Sequence, residues 1–186
     1  MDLDFKEWKT GAFVKIDAQE IEQKVDRWSS EAYQLYKKLN EDFPEAAEVA
    51  QDLKQEIRDF SVHVPLIKAL RTEAMKEEEW MELRERTEVT WLEANEELTL
   101  QRMIDENLGK HLEIIEEVSV KAAKKFKLEK DLIAMKMEWK DIAFELFPYK
   151  STHVLKGIDV IQTKLDDHTM TTQSMLGSQF MKGKLR

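Results

Sequence analysis

Apolar residues recur along this chain at the three- and four-residue spacing of a helix face, and from residue 17 onward the pattern rarely lapses. Ile21, Val25, Trp28, Ala32, Leu35 and Leu39 follow one another at spacings of 4, 3, 4, 3 and 4, which puts all six on one stripe of a helix running on toward Phe43. Asp17 supplies its start as a cap, with Glu20 three residues on to reach back to the cap's N–H. Pro44 interrupts the backbone ladder but suits a first helical turn, so Ala46, Val49, Leu53, Ile57 and Phe60 read as the stripe of a second helix beginning there. The string Ser61-Val62-His63-Val64-Pro65 then predicts an extended joint, because a residue before proline is pushed out of the helical region. Pro65 opens a short helix over 66–71.

The middle of the chain is more polar. Within residues 76–88 six Glu surround Trp80, Met81 and Leu83, which predicts a narrow apolar stripe and shallow packing. Val89, Thr90, Trp91 and Leu92 lack the alternation of a strand and read as irregular structure. Thr99 caps a helix over 100–108, with Gly109 as its stop. Two further helices follow in this reading, one carrying Leu112, Ile115, Val118, Ala122 and Phe126, the other Leu128, Leu132, Met135, Trp139 and Ile142. The second stripe is the most regular in the chain, so Trp139 is expected in a packed interface, while Trp91, on no stripe, is expected near solvent.

After Ile142 the period changes. Phe144 to Tyr149 alternates and is aromatic-rich, Lys150-Ser151-Thr152 can turn, and His153-Val154-Leu155-Lys156-Gly157 reads as a return strand. A last helix begins near Ile158, with Ile161, Leu165, His168 and Met175 on one side. The resulting expectation is a mainly α chain, an elongated helical bundle with a small β-hairpin near residues 144–157. Its divisions are a lead-in segment over 1–16, the bundle over 17–142, the hairpin over 143–157, a final helix over 158–176 and a frayed end over 177–186.

Composition supports long helices with wet faces. The 186 residues are 36% charged with only 5 Gly and 3 Pro, against a usual charged share of about 25%. Twenty-nine basic against 38 acidic residues give a net charge of -9, which is wrong for a general phosphate-backbone binder. Nucleic acid is therefore not expected as a partner. There is no Cys, which excludes disulfides, thiolate metal sites and a cysteine nucleophile and suits a reducing cytoplasm. The first residues show no basic stretch leading into an apolar one, and no run approaches the roughly 18 apolar residues of a membrane span. Neither secretion nor a membrane is expected.

Candidate chemistry is sparse. Residues 177–185, Gly-Ser-Gln-Phe-Met-Lys-Gly-Lys-Leu, approach a phosphate loop but place five residues between the glycines where four are required. Leu185 stands where Ser or Thr must hold magnesium. Asp166-Asp167-His168 holds metal-type ligands, yet consecutive helical residues diverge by about 100°, so the two aspartates read as solvated and His168 as half-buried beside Leu165. His111, near Glu113 and Glu116, and His63, near Pro65, are read the same way. Lys121, Lys124, Lys125, Lys127 and Lys130 form a basic run that reads first as a wet helix face and otherwise as a dock for an acidic surface. The five Trp and nine Met read as packing. No catalytic, cofactor-binding or metal residue is assigned.

Several strings, taken in order, resemble the linker region of the dynein heavy chain, its axonemal branch in particular. They are Trp8-Lys9-Thr10-Gly11 with Phe13 and Ile16-Asp17-Ala18; Val64-Pro65-Leu66-Ile67-Lys68-Ala69-Leu70-Arg71; Leu98-Thr99-Leu100 with Leu108 and His111; and Leu128-Glu129-Lys130 with residues 135–139. Phe144-Glu145-Leu146, Pro148-Tyr149-Lys150, Leu155-Lys156-Gly157, Leu165-Asp166-Asp167-His168 and Gln173-Ser174-Met175 complete the set. The chain departs from the family at Ala12, where proline is usual, and at Leu176 and Gln179, where arginine and proline are usual; the resemblance fades after Phe180. It implies a stack of helical bundles with a small hairpin, lying across a ring of ATPase modules and bending as nucleotide turns over. The implied function is a non-catalytic lever of a microtubule motor, located in the cytoplasm, the cytoskeleton and the ciliary axoneme. Its implied partners are the rest of the heavy chain with its ATPase ring, other dynein chains and, indirectly, the microtubule assembly. The competing reading is a free-standing helical scaffold or adaptor.

Overall fold

The side chain of Asp17 accepts hydrogen bonds from the N–H groups of Gln19 (2.9 Å) and Glu20 (3.1 Å), and the helix it caps runs Ala18–Leu39. Glu20 does not reach back to the cap; its carboxylate pairs with Lys24 one turn on, at 2.7 Å. In this computed structural model, which describes residues 1–41 and 43–178, the helices are α1 (Asp2–Thr10), α2 (Ala18–Leu39), α3 (Pro44–Ser61), α4 (Val64–Leu70), α5 (Glu77–Thr87), α6 (Leu100–Asp105), α7 (Leu112–Lys140) and α8 (Ile158–Gly177). Short 3-10 turns lie at Phe13–Lys15 and Leu108–His111, and the strands β1 (Glu145–Tyr149) and β2 (Thr152–Lys156) stand between α7 and α8. The chain is mainly α with one small hairpin, as its periodicities lead one to expect. Of the segment that resembles a phosphate loop, and of the expected frayed end, residues 179–186 lie outside the described residues.

The fold divides into two units, Met1–Ala122 and Ala123–Arg186. In the first, α2 and α3 pack along their lengths through Ile21, Val25 and Ala32 on one side and Ala47, Ala50, Ile57 and Phe60 on the other. This corrects the expected stripe of α3. Ala46 is exposed and Val49 is 69% exposed, because the row counted back from Ile57 passes through Ala50 and Ala47, whose small side chains let α2 come close. The joint at 61–65 is also corrected. Val62 and His63 are helical in backbone (φ -60 and -90), and Val64 begins α4, so Pro65 sits in a first turn where its missing N–H removes no hydrogen bond.

α5 packs deeply rather than shallowly. Leu83 is fully buried and Trp80 nearly so; buried Glu79 accepts the Lys76 N–H at 3.1 Å and buried Thr87 donates to the Leu83 carbonyl at 2.7 Å. The glutamates did not forbid burial, because one side of a helix can be wet while three or four residues on the other side meet a core. α6 stops at Asp105, short of the expected 108, because Asn107 takes a left-handed conformation (φ 52) that asparagine tolerates and a helix does not. Thr99 caps it as expected, accepting from the Arg102 N–H.

Leu112–Lys140 is one helix of 29 residues, not two. No glycine or proline falls within it, so the jump in phase from Phe126 to Leu128 moves the apolar stripe around the helix without breaking it. In the second unit β1 and β2 pair antiparallel with Leu146 opposite Leu155 and Phe147 opposite Val154. Lys150 and Ser151 make the turn, and Gly157, at φ 70, ends the hairpin in a conformation glycine adopts freely.

Candidate functional site

The strings that carry the family resemblance in the first unit converge. The Phe13 N–H donates to the Leu98 carbonyl at 2.7 Å, and Arg71 Nε donates to the Ile16 carbonyl at 2.8 Å. Phe13, Ile16, Leu66, Ile67, Leu70, Leu98, Leu100 and Leu108 are all buried in one cluster. Gly11, which ends α1 just before this node, has a steric role of its own: a Cβ there would stand 2.8 Å from the Glu7 carbonyl oxygen. The node itself is a structural junction of the segment between α1 and α2, α4 and the segment before α6.

Beside it lies an aromatic cluster that the sequence reading did not find. Phe5 stacks on Phe60 with centroids 4.4 Å apart, Trp8 stacks on Trp28 at 5.7 Å, and His63 meets Phe60 edge-on. Its missing signal is short: Asp2 and Asp4 in the first turn of α1, with Phe5 and Trp8 at i and i+3, over only 9 residues. Burial first, and the nearby Lys9 ammonium second, push the His63 imidazole below its ordinary value, favouring its neutral form. At the outer edge Lys24 bridges Asp4 and Glu20; its hydrogen bond holds the Asp4 carboxyl below the usual range.

Trp91 and Leu92 do not form an exposed patch. Leu92 is fully buried, and the half-buried ring of Trp91 packs on the core and lies 4.7 Å beneath the Arg102 guanidinium. The basic run is divided: Lys121 pairs with Glu82 at 2.7 Å, Lys130 lies over the Phe126 ring, and Lys124 and Lys127 are exposed.

The second unit is built differently. Of its described apolar side chains Met175 alone is buried, while Ile133, Met137, Phe144, Leu146, Phe147, Tyr149, Leu155, Val160, Leu165 and Met170 are each 45% exposed or more. Every residue of both strands is exposed. Of the stripe expected to be best packed, Leu132, Met135 and Trp139 line one side of a groove of about 510 Å³ facing Leu165, His168 and Thr172 of α8. There Trp139 Nε1–H donates to His168 Nδ1 at 2.8 Å, which places the imidazole's own proton on Nε2, 3.6 Å from Glu138. Lys164 holds Glu138 at 2.9 Å and keeps its carboxyl below the usual range. Trp139 is half-buried like Trp91, so the expected contrast between them is absent. Asp166 and Asp167 are exposed and His168 is half-buried.

Among the described residues no three His, Asp or Glu side chains gather as a metal-holding group, and no helix is long and apolar enough to cross a membrane. What this surface offers is apolar area and a groove. The family described as "Dynein heavy chain, N-terminal region 2" matches residues 1–186, the whole chain. The chain belongs to this dynein heavy chain family. It is 31% identical to human Dynein axonemal heavy chain 3 over 95% of its length, and 33% identical to mouse Dynein axonemal heavy chain 1 over 94%. It is also 27% identical, over 93%, to the Dynein-1-beta heavy chain of the flagellar inner arm I1 complex of Chlamydomonas reinhardtii. The chain spans about 4% of the length of each of these heavy chains. The family match runs past Phe180, where the resemblance read from residues fades.

Proposed function

We propose that the chain is a non-catalytic part of a dynein heavy chain linker, a lever that couples the nucleotide cycle of an ATPase ring to microtubule-based movement in the ciliary axoneme. The observation that carries this reading is the uncovered apolar surface of the second unit. Exposed patches larger than a few hundred Å² mark surfaces meant for a partner, and the heavy chains to which this chain is similar are about twenty-five-fold longer than the part it matches. A well-packed first unit followed by helices that lack a core suits a piece of a continuing helical stack. Its partners are then the remainder of the heavy chain, and other dynein chains through it. Its place is the cytoskeleton of the axoneme, within the cytoplasm.

A lever transmits force only if its faces are held by what they touch. The test is a full heavy chain carrying Ile133→Glu with Met137→Glu, two exposed apolar positions on the side of α7 away from the groove. ATP hydrolysis is retained while microtubule gliding slows severalfold. Gliding and hydrolysis both unchanged would overturn the reading. The 186-residue chain alone, in the same reading, hydrolyses no ATP with magnesium, and turnover that follows the purified chain would contradict it.

A further inference from the structure

Resting on that reading, we propose that the groove between α7 and α8 holds an amphipathic helix from elsewhere in the same heavy chain, with an acidic side chain set against Lys136. The groove is apolar along Leu132, Met135, Trp139 and Leu165, with Thr172 at one end. From Leu132 to Trp139 is two helical turns, about 10 Å. That length takes three apolar side chains of an incoming helix, spaced i, i+3 or i+4, and i+7. The Trp139 indole N–H is already bonded to His168, so the floor asks for no polar partner.

Charge selects the occupant's rim. Lys136 lines the groove, and among the described residues neither it nor Lys140, one turn on, has an ion-pair partner. Residues 1–122 carry 17 basic against 30 acidic side chains, whereas the described residues of the second unit, 123–178, carry 9 against 8. The second unit thus lacks the acidic excess of the first, and an acid on the incoming helix is the complement of Lys136.

The same polypeptide is the source because the unit depends on its occupant. With Met175 its one buried apolar side chain among those described, the unit has no core until the groove is filled. A dissociable partner would leave it coreless at each release. A covalently continuous segment stays at an effective concentration of about millimolar, and the related heavy chains have ample length to supply one.

The test places the photo-cross-linker p-benzoylphenylalanine at Gln173, an exposed residue lining the groove, in the full heavy chain, and maps the cross-linked peptide by mass spectrometry. The expected product is an intrachain link to a helical segment with Asp or Glu beside apolar residues at those spacings. Lys136→Glu then speeds proteolytic cleavage in residues 143–157 about fivefold, the scale of losing one exposed ion pair, and reversing the identified acid to Lys restores the original rate. A link to a separate polypeptide or a second copy, no link at all, a linked segment without an acid, or failure of the reversal to restore resistance would overturn the proposal. Each of those results leaves the lever reading standing, since that reading fails on gliding by the Ile133→Glu, Met137→Glu heavy chain.

Discussion

The two units of this chain have similar helical periodicity and opposite burial. In the first, the stripe Ile21, Val25, Ala32 meets Ala47, Ala50, Ile57 and Phe60 and is closed off from solvent. In the second, the more regular stripe Leu132, Met135, Trp139 faces a groove, and Leu165 across it is 51% exposed. A 3.6-residue period says that a helix has a face; it does not say that the matching face lies within the same 186 residues. The difference teaches that a regular apolar stripe that remains wet marks a place to look for a covering partner.

The comparison is sharpest in paired truncations of the 186-residue chain. Leu83→Ala, at a fully buried position in the first unit, should cost about 2–5 kcal/mol through lost transfer energy and the cavity left behind. Leu165→Ala, 51% exposed in the second, should cost about 0.5 kcal/mol or less. Denaturant melts measure both, and equal losses would break the contrast between the units.

Much of this fold was legible in residue order. Asp17 and Thr99 announced caps because a short polar side chain before an apolar run has one obvious use, and the hairpin showed itself where the period fell from 3.6 to 2. What failed was whatever depended on neighbours. Residues 76–88 looked too acidic to bury Trp80 and Leu83, but composition averages over faces that a helix keeps apart. The single helix Leu112–Lys140 read as two because its apolar stripe changes sides, which happens when the helix meets different surroundings along its length. The aromatic cluster of Phe5, Trp8, Trp28 and Phe60 was invisible because its members come from three different helices and share no single stripe. Of the groove's lining, Leu132, Met135, Trp139, Leu165 and His168 were named on helical stripes, yet the groove's being open could not be read from the chain.

A smaller effect sharpens the comparison between two tryptophans. Trp91→Ala removes a ring that packs on the first unit's core and stacks with Arg102, for about 1–2 kcal/mol; Trp139→Ala in the isolated chain removes a half-buried ring over an open groove, for about 1 kcal/mol or less. In the full heavy chain, with the groove filled, the Trp139 loss should rise toward about 3 kcal/mol. A Trp139 loss that is the same in both settings would mean the groove stays open.

The smallest expected effect is the pH dependence carried by His63 of the first unit. His63 is held below its ordinary value of 6.5, so the unfolded chain binds its proton first as pH falls. The stability owed to neutral His63 is complete above 6.5 and is lost as pH falls through the lower folded value. Asp4, Glu117 and Glu138, held low by Lys24, Arg86 and Lys164 respectively, contribute in a separate window below their ordinary values of 3.8 to 4.5. His63→Gln should flatten the melts between pH 7.5 and 5.5 and leave the more acidic limb in place; an unchanged slope would show that the imidazole is already free to protonate.

The most direct measurement is amide hydrogen exchange, read segment by segment, in the 186-residue chain and in a full heavy chain. Amides of α2, α3 and α5 should be strongly protected in both. Those of α8, β1 and β2 should exchange orders of magnitude faster than the first unit's in the isolated chain and become protected in the heavy chain, where their faces are covered. Equal protection of both units in the isolated chain would contradict the proposal that the second unit takes its core from the remainder of the heavy chain.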